Sequence, residues 1–172
     1  ILTSCGVDKT LIFHEYRDSK NFVQYSLEID KTSKYLSLDI NHENNIIVLG
    51  QEKKLQFWSL EDGKLKNLIE TKDEDKLTGK TQILDNLRVV VDSSGSYIAI
   101  SNNDKIVRIR DFNTGNLVAK ANCGDITTSL AFTQNSKELI TVTAKGCIYI
   151  WKLSKEIKGA IEKKKQQLGV LA

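Results

Sequence analysis

The sequence predicts an all-β protein built from repeated antiparallel sheets. Short stretches in which apolar and polar residues alternate recur along the 172 residues, and clusters of turn-forming residues separate them. No crossover helix is expected between these stretches, so a parallel sheet is not expected either. Because the chain has no proline, its turns must depend on Gly, Asn, Asp and Ser.

Four segments repeat one pattern, in which a polar, turn-like start is followed by an alternating apolar strand. They end at His14, Trp58, Arg110 and Trp151, with spacings of 44, 52 and 41 residues. A period of about 40–45 residues is typical of the four-stranded blades of a β-propeller. The polar stretch Thr71–Lys80 accounts for the long spacing and is interpreted as an inserted loop. The four segments are Asp8–His14, Glu52–Trp58, Asp104–Arg110 and Lys145–Trp151.

The strands and turns around these segments repeat as well. Apolar strands precede each segment, and the turns at Gly63 and Gly115 introduce a further strand after two of them. The pattern predicts sheets of three, four, four and three strands. The corresponding blades lie near residues 1–28, 34–70, 84–121 and 126–153.

Two apolar columns repeat in the third strand of each unit and are expected to pack blade against blade. The column between them is mixed, as expected near the outer rim. Because each blade needs a neighbour on both sides, three to four blades alone would leave sheet faces open. The first column is Leu11, Leu55, Val107 and Ile148, the second is Phe13, Phe57, Ile109 and Ile150, and the mixed one is Ile12, Gln56, Arg108 and Tyr149.

The pattern changes to helical after Leu153. Ser154 can cap a helix N-terminus, and Lys163–Lys165 fall near its C-terminal end, where positive charge is favourable. Ile157, Ala160, Ile161 and Leu168 share one side of this helix, and Gly169 is the expected stop. We therefore divide the chain into a partial propeller over residues 1–153 and a C-terminal helix with a tail over residues 154–172.

The units resemble WD repeats. Trp58-Ser59, Arg110-Asp111 and Trp151-Lys152 occupy the Trp-Asp position, and Gly124-Asp125 is nearest to the Gly-His pair. Every copy departs from these ideal pairs, so the His-Ser/Thr-Trp-Asp hydrogen-bond network of better repeats is not expected as such. Apolar packing between blades is expected to supply most of the stability.

A more specific resemblance rests on the order and spacing of Thr3–Thr10, Val90–Ala99, Asn103–Lys105, Asp111–Lys120 and Leu139–Trp151. Up to about Leu153 the chain is similar to the last blades of the second propeller in the mitogen-activated-protein-kinase-binding WD-repeat scaffolds. The resemblance implies a WD-repeat β-propeller, of which this chain holds about 3.5 four-stranded antiparallel blades, in a larger, seven-bladed ring.

That resemblance also implies partners and a location. The expected partners are other proteins, such as kinases or centrosomal proteins, together with upstream blades of the same protein. The expected location is the cytoplasm, with association at the centrosome or spindle pole, and the nucleus is an alternative. The last blade is expected to be the closing blade and to receive its missing strand from upstream sequence or from an early part of the propeller. The absence of methionine predicts that the chain is an internal piece of a longer protein.

The residue content argues against catalysis, cofactors and metal sites. His14 and His42 are the only histidines, and no His or Cys cluster has metal-ligand spacing. Gly79-Lys80-Thr81 lacks the earlier glycine of a phosphate-binding loop. We expect no enzyme activity, no cofactor, no metal and no small-molecule substrate. The cysteines Cys5, Cys123 and Cys147 are expected to be small buried fillers.

Two groups of charged residues are candidates for partner contact. Three arginines of the third blade predict either a solvated rim or a basic patch for a phosphate or acidic partner. The inserted loop, around Thr71–Gln82, lies on the face where propellers often bind, and long loops are often functional. The candidate residues are Arg88, Arg108, Arg110, Lys72, Asp73 and Glu74.

The predicted function is a non-catalytic scaffold for protein–protein interaction. The net charge of +3 is too small to argue for nucleic acid, and no apolar run approaches the roughly 18 residues of a membrane helix. The alternative is a WD-repeat subunit of an RNA-processing particle of the kind used in ribosome biogenesis. A steep loss of RNA affinity with added salt would favour that alternative.

Overall fold

The computed structural model describes residues 1–18, 21–74 and 79–169. Four antiparallel sheets follow one another in these ranges, with a two-stranded hairpin between the second and third sheets and one helix at the C-terminal end. The predicted all-β architecture of repeated antiparallel blades is confirmed. No helix in the described part of the chain is long and apolar enough to span a membrane.

Each sheet is a meander in which strands pair in chain order. The first and fourth sheets have three strands, and the second and third have four, as the repeat pattern predicts. The strands are β1 (Leu2–Cys5), β2 (Thr10–Asp18), β3 (Asn21–Ile29), β4 (Tyr35–Asn41), β5 (Ile46–Gln51), β6 (Lys54–Ser59), β7 (Leu65–Glu70), β8 (Lys72–Glu74), β9 (Thr81–Ile83), β10 (Asn86–Val91), β11 (Tyr97–Asn102), β12 (Ile106–Asp111), β13 (Leu117–Asn122), β14 (Thr127–Phe132), β15 (Glu138–Thr143) and β16 (Ile148–Lys152).

The core consists of three apolar clusters, and each joins one blade to the next. Leu11 and Phe13 of the first blade are fully buried, and they pack with Ile47, Leu49 and Trp58 of the second. Burial of one such side chain stabilises the fold by roughly 1.5–3 kcal/mol. The predicted apolar columns therefore pack blade against blade at this interface.

The next two interfaces repeat this arrangement. Leu55 and Phe57 of the second blade share a cluster with Ile98 of the third, and the rings of Phe57 and Phe112 meet edge to face with centroids 5.4 Å apart. Val107 of the third blade is buried in the cluster that includes residues of the fourth blade. The apolar residues of both columns are uncovered in the fourth blade, because no sheet packs beyond this blade among the described residues. These residues, Ile148 and Ile150, are 67% and 66% exposed.

Helix α1 (Lys155–Gln167) closes the third cluster from the outside. The Ser154 hydroxyl caps it by accepting from the Ile157 amide, and Ile157 and Ile161 are buried against the third and fourth blades. The predicted cap is confirmed. Ala160 and Leu168 are exposed, so the apolar side is narrower than predicted. The helix ends at Gln167, and residues 170–172 of the predicted tail lie outside the described residues.

Candidate functional site: the hairpin between the second and third blades

The inserted stretch forms a β-hairpin, so the prediction of a loop over Thr71–Gln82 is wrong for its two ends. Strands β8 and β9 pair antiparallel, with Lys72 opposite Ile83 and Asp73 opposite Gln82. Residues 75–78 of the predicted loop lie outside the described residues. The ends are strands because the chain on either side of them is clamped together, which lets a ladder of backbone hydrogen bonds continue outward.

The clamp at the root of the hairpin is a buried polar network. The Leu84 amide donates to the Thr71 carbonyl at 3.1 Å, and the Thr71 hydroxyl donates back to the Leu84 carbonyl at 2.9 Å. The Asn86 amide group donates to the Thr71 hydroxyl and to the carbonyls of Gln51 and Lys54, at 2.9–3.0 Å. Thr71, Leu84 and Asn86 are all fully buried. Buried polar groups satisfied in this way fix the geometry of the chain.

Arg108, in the third strand of the third blade, binds the first strand of the hairpin. Its guanidinium donates to the Asp73 carboxylate, with Nη2 at 2.6 Å and Nε at 3.2 Å from Oδ2. The same group makes a two-pronged contact with Asp104, at 2.7 and 2.9 Å, and donates to the Asn102 side chain at 3.1 Å. The Arg108 side chain is only 1% exposed. Charge-assisted bonds of this kind are the strong ones in proteins.

Arg110 holds the backbone of the same strand. Its Nη2 donates to the Lys72 carbonyl at 3.1 Å, and its Nη1 donates to the Gly115 carbonyl at 2.9 Å. Arg110 is buried, and this burial, with repulsion from Arg108, lowers the pKa of its guanidinium. Two arginines of β12 thus hold strand β8. Arg108 binds the side chain of Asp73, and Arg110 binds the backbone carbonyl of Lys72.

A third cation lies at the edge of this contact. Lys120 Nζ is 3.5 Å from Asp73 Oδ2, and its side chain is half exposed. Burial acts to raise the pKa of the Asp73 carboxyl, but the hydrogen bonds and positive charge of Arg108, with Lys120, outweigh it and lower that pKa. Asp73 is therefore a carboxylate paired with two positive groups, Arg108 and Lys120, while Arg110 binds the backbone carbonyl of the preceding residue.

The structure brings four of the six candidate residues together: Lys72, Asp73, Arg108 and Arg110. It does so through contacts within the chain, so the prediction that Arg108 and Arg110 lie on a solvated rim or an exposed basic patch is wrong. The hairpin and Asp104 cover them. Glu74 lies opposite Thr81 in the hairpin ladder, and its side chain is outside the description.

Arg88 stands apart from this group. It is exposed on β10, where its guanidinium donates to the carbonyls of Thr128 at 3.1 Å and Leu87 at 2.7 Å. Strand β10 contacts both β4 and β14, the first strands of the neighbouring blades. A partner contact by Arg88 stays a prediction.

Sequence reasoning missed that Asp73 has an equivalent before the second blade. Asp30 precedes β4, and its Oδ2 accepts from Lys54 Nζ at 2.7 Å, Gln51 Nε2 at 3.1 Å and Gln56 Nε2 at 3.2 Å. Gln56 occupies the position in β6 that Arg108 occupies in β12. These contacts explain why Gln56 and Arg108, two residues of the mixed column, are buried instead of lying at the outer rim as predicted.

Before the fourth blade, Asp125 Oδ2 accepts from the Lys145 amide at 3.0 Å. Each of the three segments that precede a blade therefore supplies an aspartate that contacts the third strand of that blade or the turn just before it. The aspartates stand at different distances from the strand that follows, so no fixed spacing in the sequence reveals them.

Part of the WD-type hydrogen-bond network is present in the fourth blade. Trp151 Nε1 donates to the Thr141 hydroxyl at 3.0 Å, and Cys123 Sγ lies 3.8 Å from the same oxygen. In the second blade, Trp58 Nε1 donates instead to Gln56 Oε1 at 2.8 Å. The expectation that the complete network is missing agrees with these contacts, but its Trp–Thr half survives.

The three cysteines differ in their burial. Cys123 is buried and Cys5 is half-buried, but Cys147 is exposed, so the prediction of three buried fillers is wrong for Cys147. Within residues 1–18, 21–74 and 79–169, no group of three or more His, Cys, Asp or Glu side chains is arranged to hold a metal ion.

No family model matches the chain. WD repeat-containing protein 62 of pig (Sus scrofa) is 31% identical over 166 residues, which are 94% of this chain and 10% of that protein. The mouse (Mus musculus) protein of the same name is 32% identical over 161 residues, covering 91% of this chain and 10% of the relative. These relatives support a WD-repeat family. The chain spans about a tenth of the length of these two relatives.

Two more distant relatives also match the chain. Cilia- and flagella-associated protein 52 of Chlamydomonas reinhardtii is 24% identical over 111 residues, covering 63% of the chain and 16% of that protein. Probable U3 small nucleolar RNA-associated protein 18 of Schizosaccharomyces pombe is 19% identical over 170 residues, covering 99% of the chain and 31% of that protein.

Proposed function

We propose that this chain is part of a non-catalytic protein-interaction scaffold, and that the hairpin β8–β9 is a place where it contacts a partner. The observation that carries the proposal is the anchoring of the hairpin. Its root is fully buried at Thr71 and Leu84, and strand β8 is held by the buried Arg108 and Arg110. Such anchoring fixes the position of the hairpin and leaves its solvent-facing side exposed.

The outer side of the hairpin is available for contact. Thr81, Gln82 and Ile83 of β9 are all exposed, and Ile83 is 51% exposed although it is a large apolar side chain. Binding residues are commonly carried by connecting segments that a rigid framework positions. Contact residues held on ordered elements also bind with less loss of conformational entropy than residues on a free loop. The hairpin meets both conditions.

The finer proposal is that the scaffold serves a signalling or cytoskeletal complex in the cytoplasm, including kinases or centrosomal proteins as partners. Its support is the resemblance to the kinase-binding WD-repeat scaffolds and the similarity to a protein named for cilia and flagella. The domain division at residue 153, with the blades near 1–28, 34–70, 84–121 and 126–153, is part of this proposal. In it, residues 154–172 are a C-terminal helix and tail.

A proximity-labelling comparison in the full-length protein tests the hairpin contact. Ile83→Asp places a charge on the outer side of the hairpin, and we expect it to remove a subset of labelled partners. The matched control is Val118→Asp, since Val118 is 45% exposed on the outer strand β13. Partner sets that are the same for the wild type, Ile83→Asp and Val118→Asp would contradict the proposal.

A second candidate function is a subunit of an RNA-processing particle. It is favoured by the similarity, over nearly the whole chain, to the relative named for the U3 small nucleolar RNA. The two candidates differ in what binds and in its response to salt. Association that disappears on ribonuclease treatment and weakens steeply with added salt would favour the RNA particle, because phosphate contacts release counterions. Association that survives ribonuclease would favour the protein scaffold.

A further inference from the structure

A polar cleft of about 410 Å³ lies between helix α1 and the turns that follow strands β4, β10 and β12. Its volume is within the range of about 300–1,000 Å³ that is usual for ligand sites. The hairpin β8–β9 precedes β10, whereas the cleft lies beyond the other end of that strand. The cleft and the hairpin are therefore at opposite ends of the third blade.

Four residues of helix α1 form one wall of the cleft. They occupy positions i, i+3, i+4 and i+7, which places them on one face of the helix. Burial of Ile157 and Ile161 against the third and fourth blades fixes the orientation of that face. Lys163 is exposed and Lys164 is half-buried, and neither forms an ion pair within residues 1–18, 21–74 and 79–169. The four residues are Ala160, Lys163, Lys164 and Gln167.

The opposite wall is held in place by hydrogen bonds within the third blade. The Phe112 amide donates to the Ser96 carbonyl at 2.9 Å and so joins the turn after β12 to the turn after β10. The buried Asp92 carboxylate accepts from the amides of Ser96 and Tyr97, at 2.8 and 2.7 Å. A wall that is ordered before binding reduces the entropy that is lost when a ligand binds.

The cleft offers two kinds of polar group to a ligand. The side-chain amides of Asn44, Asn113 and Gln167 lie in its walls and have no hydrogen-bond partner in the described part of the chain. Such an amide donates and accepts at once, as a peptide group does, so it can pair with the main chain of an extended segment. The ammonium groups of Lys163 and Lys164 only donate, and they favour an acidic ligand.

The charge of the chain is concentrated beside this cleft. Residues 154–172 contain five lysines and two glutamates, so this segment carries the net charge of +3 of the whole chain, and residues 1–153 are neutral. Asp111 is a carboxylate in the wall. Its Oδ1 accepts from the amides of Asn113 and Thr114 at 3.0 and 2.8 Å, so the turn binds it. The helix side of the cleft is therefore positive.

We infer that the cleft between helix α1 and the third blade binds an extended acidic segment of a partner protein. Carboxylates of the segment contact Lys163 and Lys164, and its main chain pairs with the side-chain amides of the walls. Tyr97, the aromatic residue of the wall, is half-buried and packs on the third apolar cluster, so its ring is not available to stack on a nucleic-acid base. This contact goes beyond the one proposed for the hairpin and is independent of it.

The test cross-links an octaglutamate peptide with one benzophenone group to the full-length protein, and mass spectrometry locates the attachment sites. We expect these sites in the turns after β10 and β12 and in residues 160–167. The double variant Lys163→Gln/Lys164→Gln should lower this cross-linking about fivefold, because two charge-assisted contacts are lost.

The matched control is Lys152→Gln/Lys155→Gln. It removes the same charge from two exposed lysines that do not line the cleft, so cross-linking should stay within about twofold of the wild type. Ala160→Leu keeps every charge but fills the cleft, and Ala160 is exposed, so the core is unaffected. This variant should also lower cross-linking, whereas Asp111→Asn should raise it.

Equal losses in the two double variants would overturn the inference, because they would indicate a response to net charge alone. Attachment sites outside the cleft, or undiminished cross-linking in Ala160→Leu, would overturn it as well. Single-stranded octauridylate should compete less well than unlabelled octaglutamate, and stronger competition would assign the cleft to nucleic acid instead. Ile83→Asp should leave the cross-linking unchanged, so failure of the hairpin contact and failure of this inference are separate results.

Discussion

The Lys54 ammonium lies 2.7 Å from the Asp30 carboxylate, and this pair joins the segment before the second blade to that blade's third strand. Its side chains are 18% and 9% exposed, so the pair is more protected than the exposed pairs that contribute little to stability. Asp73 with Arg108 repeats the relationship in the third blade, and in the fourth blade Asp125 accepts from the Lys145 amide in the turn before the third strand. The repeats therefore share a polar tie that the degenerate Trp-Asp positions do not show.

Removal of Arg108 should destabilise the fold strongly. Arg108→Met leaves Asp73 and Asp104 beside a buried position without their cation, and loss of one partner of a buried ion pair costs about 3–5 kcal/mol. Urea unfolding measures the change. Arg17→Met is the control: Arg17 pairs with Glu15 at 2.8 Å, but its side chain is 60% exposed, so a loss below about 1 kcal/mol is expected. Equal losses would contradict the burial of the Arg108 network.

Stability should fall at acid pH through Asp30 and Asp73. Burial acts to raise the pKa of each carboxyl, but hydrogen bonds from Lys54 to Asp30 and from Arg108 to Asp73 outweigh it, and both pKa values lie below the ordinary 3.8. A lowered folded-state pKa gives stabilisation that is complete above the unfolded value and is lost as the pH falls through the folded one.

We therefore expect the urea midpoint to decline from about pH 4 downward. Asp30→Asn should be less stable than the wild type at neutral pH and should show a smaller decline with acid. The same slope in Asp30→Asn and the wild type would show that Asp30 does not carry this dependence.

The surviving Trp–Thr bond in the fourth blade should be measurable. Thr141 is fully buried, and Thr141→Val removes the hydroxyl that accepts from Trp151 Nε1 at 3.0 Å. Loss of such a bond, with the indole N–H left without its partner, costs about 1–2 kcal/mol in unfolding free energy. Thr128→Val is the control, because Thr128 is exposed and donates to the Val142 carbonyl. A larger effect at Thr128 would argue against a structural role for the Trp151 bond.

Two glycines should respond to alanine with opposite signs. A Cβ at Gly50 would lie 2.7 Å from both the Asn86 carbonyl oxygen and the Ser37 hydroxyl, so Gly50→Ala should cost about 1–3 kcal/mol through overpacking. At Gly159, in helix α1, a Cβ meets nothing within 4 Å, so Gly159→Ala should stabilise by about 0.5–1 kcal/mol. Thermal unfolding of the two variants compares them directly, and a stabilised Gly50→Ala would show that the two blades can separate there without cost.

Thiol labelling should discriminate among the three cysteines. Cys147 is exposed and Cys123 is buried, whereas burial of Cys5, together with the negative charge of Asp8, raises the pKa of its thiol to about 11. Because the thiolate is the reactive form, a maleimide at about pH 8 should modify Cys147 first. Peptide mapping by mass spectrometry after short reaction times gives the order. Cys5 reacting as fast as Cys147 would mean that the first blade opens readily.

The apolar half of this fold could be predicted from local patterns. Leu11 and Phe13 alternate with polar or half-buried neighbours, and the side-chain period of a strand places them on one face without further information. The same holds for the Ser154 cap and for Ile157 and Ile161 on one side of helix α1. These features depend on residues close in sequence, so the sequence alone is enough to find them.

The polar half could not be predicted in the same way. Arg108 is buried because Asp73, 35 residues earlier in the chain, lies over it. Asp73 itself belongs to a stretch so polar that its composition indicates a solvated loop. Because Arg108 and Asp73 are charged, the sequence predicts that both side chains are exposed. They are buried because they form an ion pair with each other in the folded chain. The sequence places Lys72 and Asp73 in one candidate group and Arg108 and Arg110 in another, and it gives no sign that the two groups contact each other.

The division of the core into three separate clusters limits how far damage spreads. Leu11 and Phe13 belong only to the first cluster, and Val107 and Ile109 only to the third. Energies that couple nearest neighbours alone make such an array behave like a row of linked units. A cavity-forming substitution in one cluster should therefore loosen the two blades that share it and leave hydrogen-exchange protection in the far blade almost unchanged, so inherited or engineered lesions would map to blade pairs.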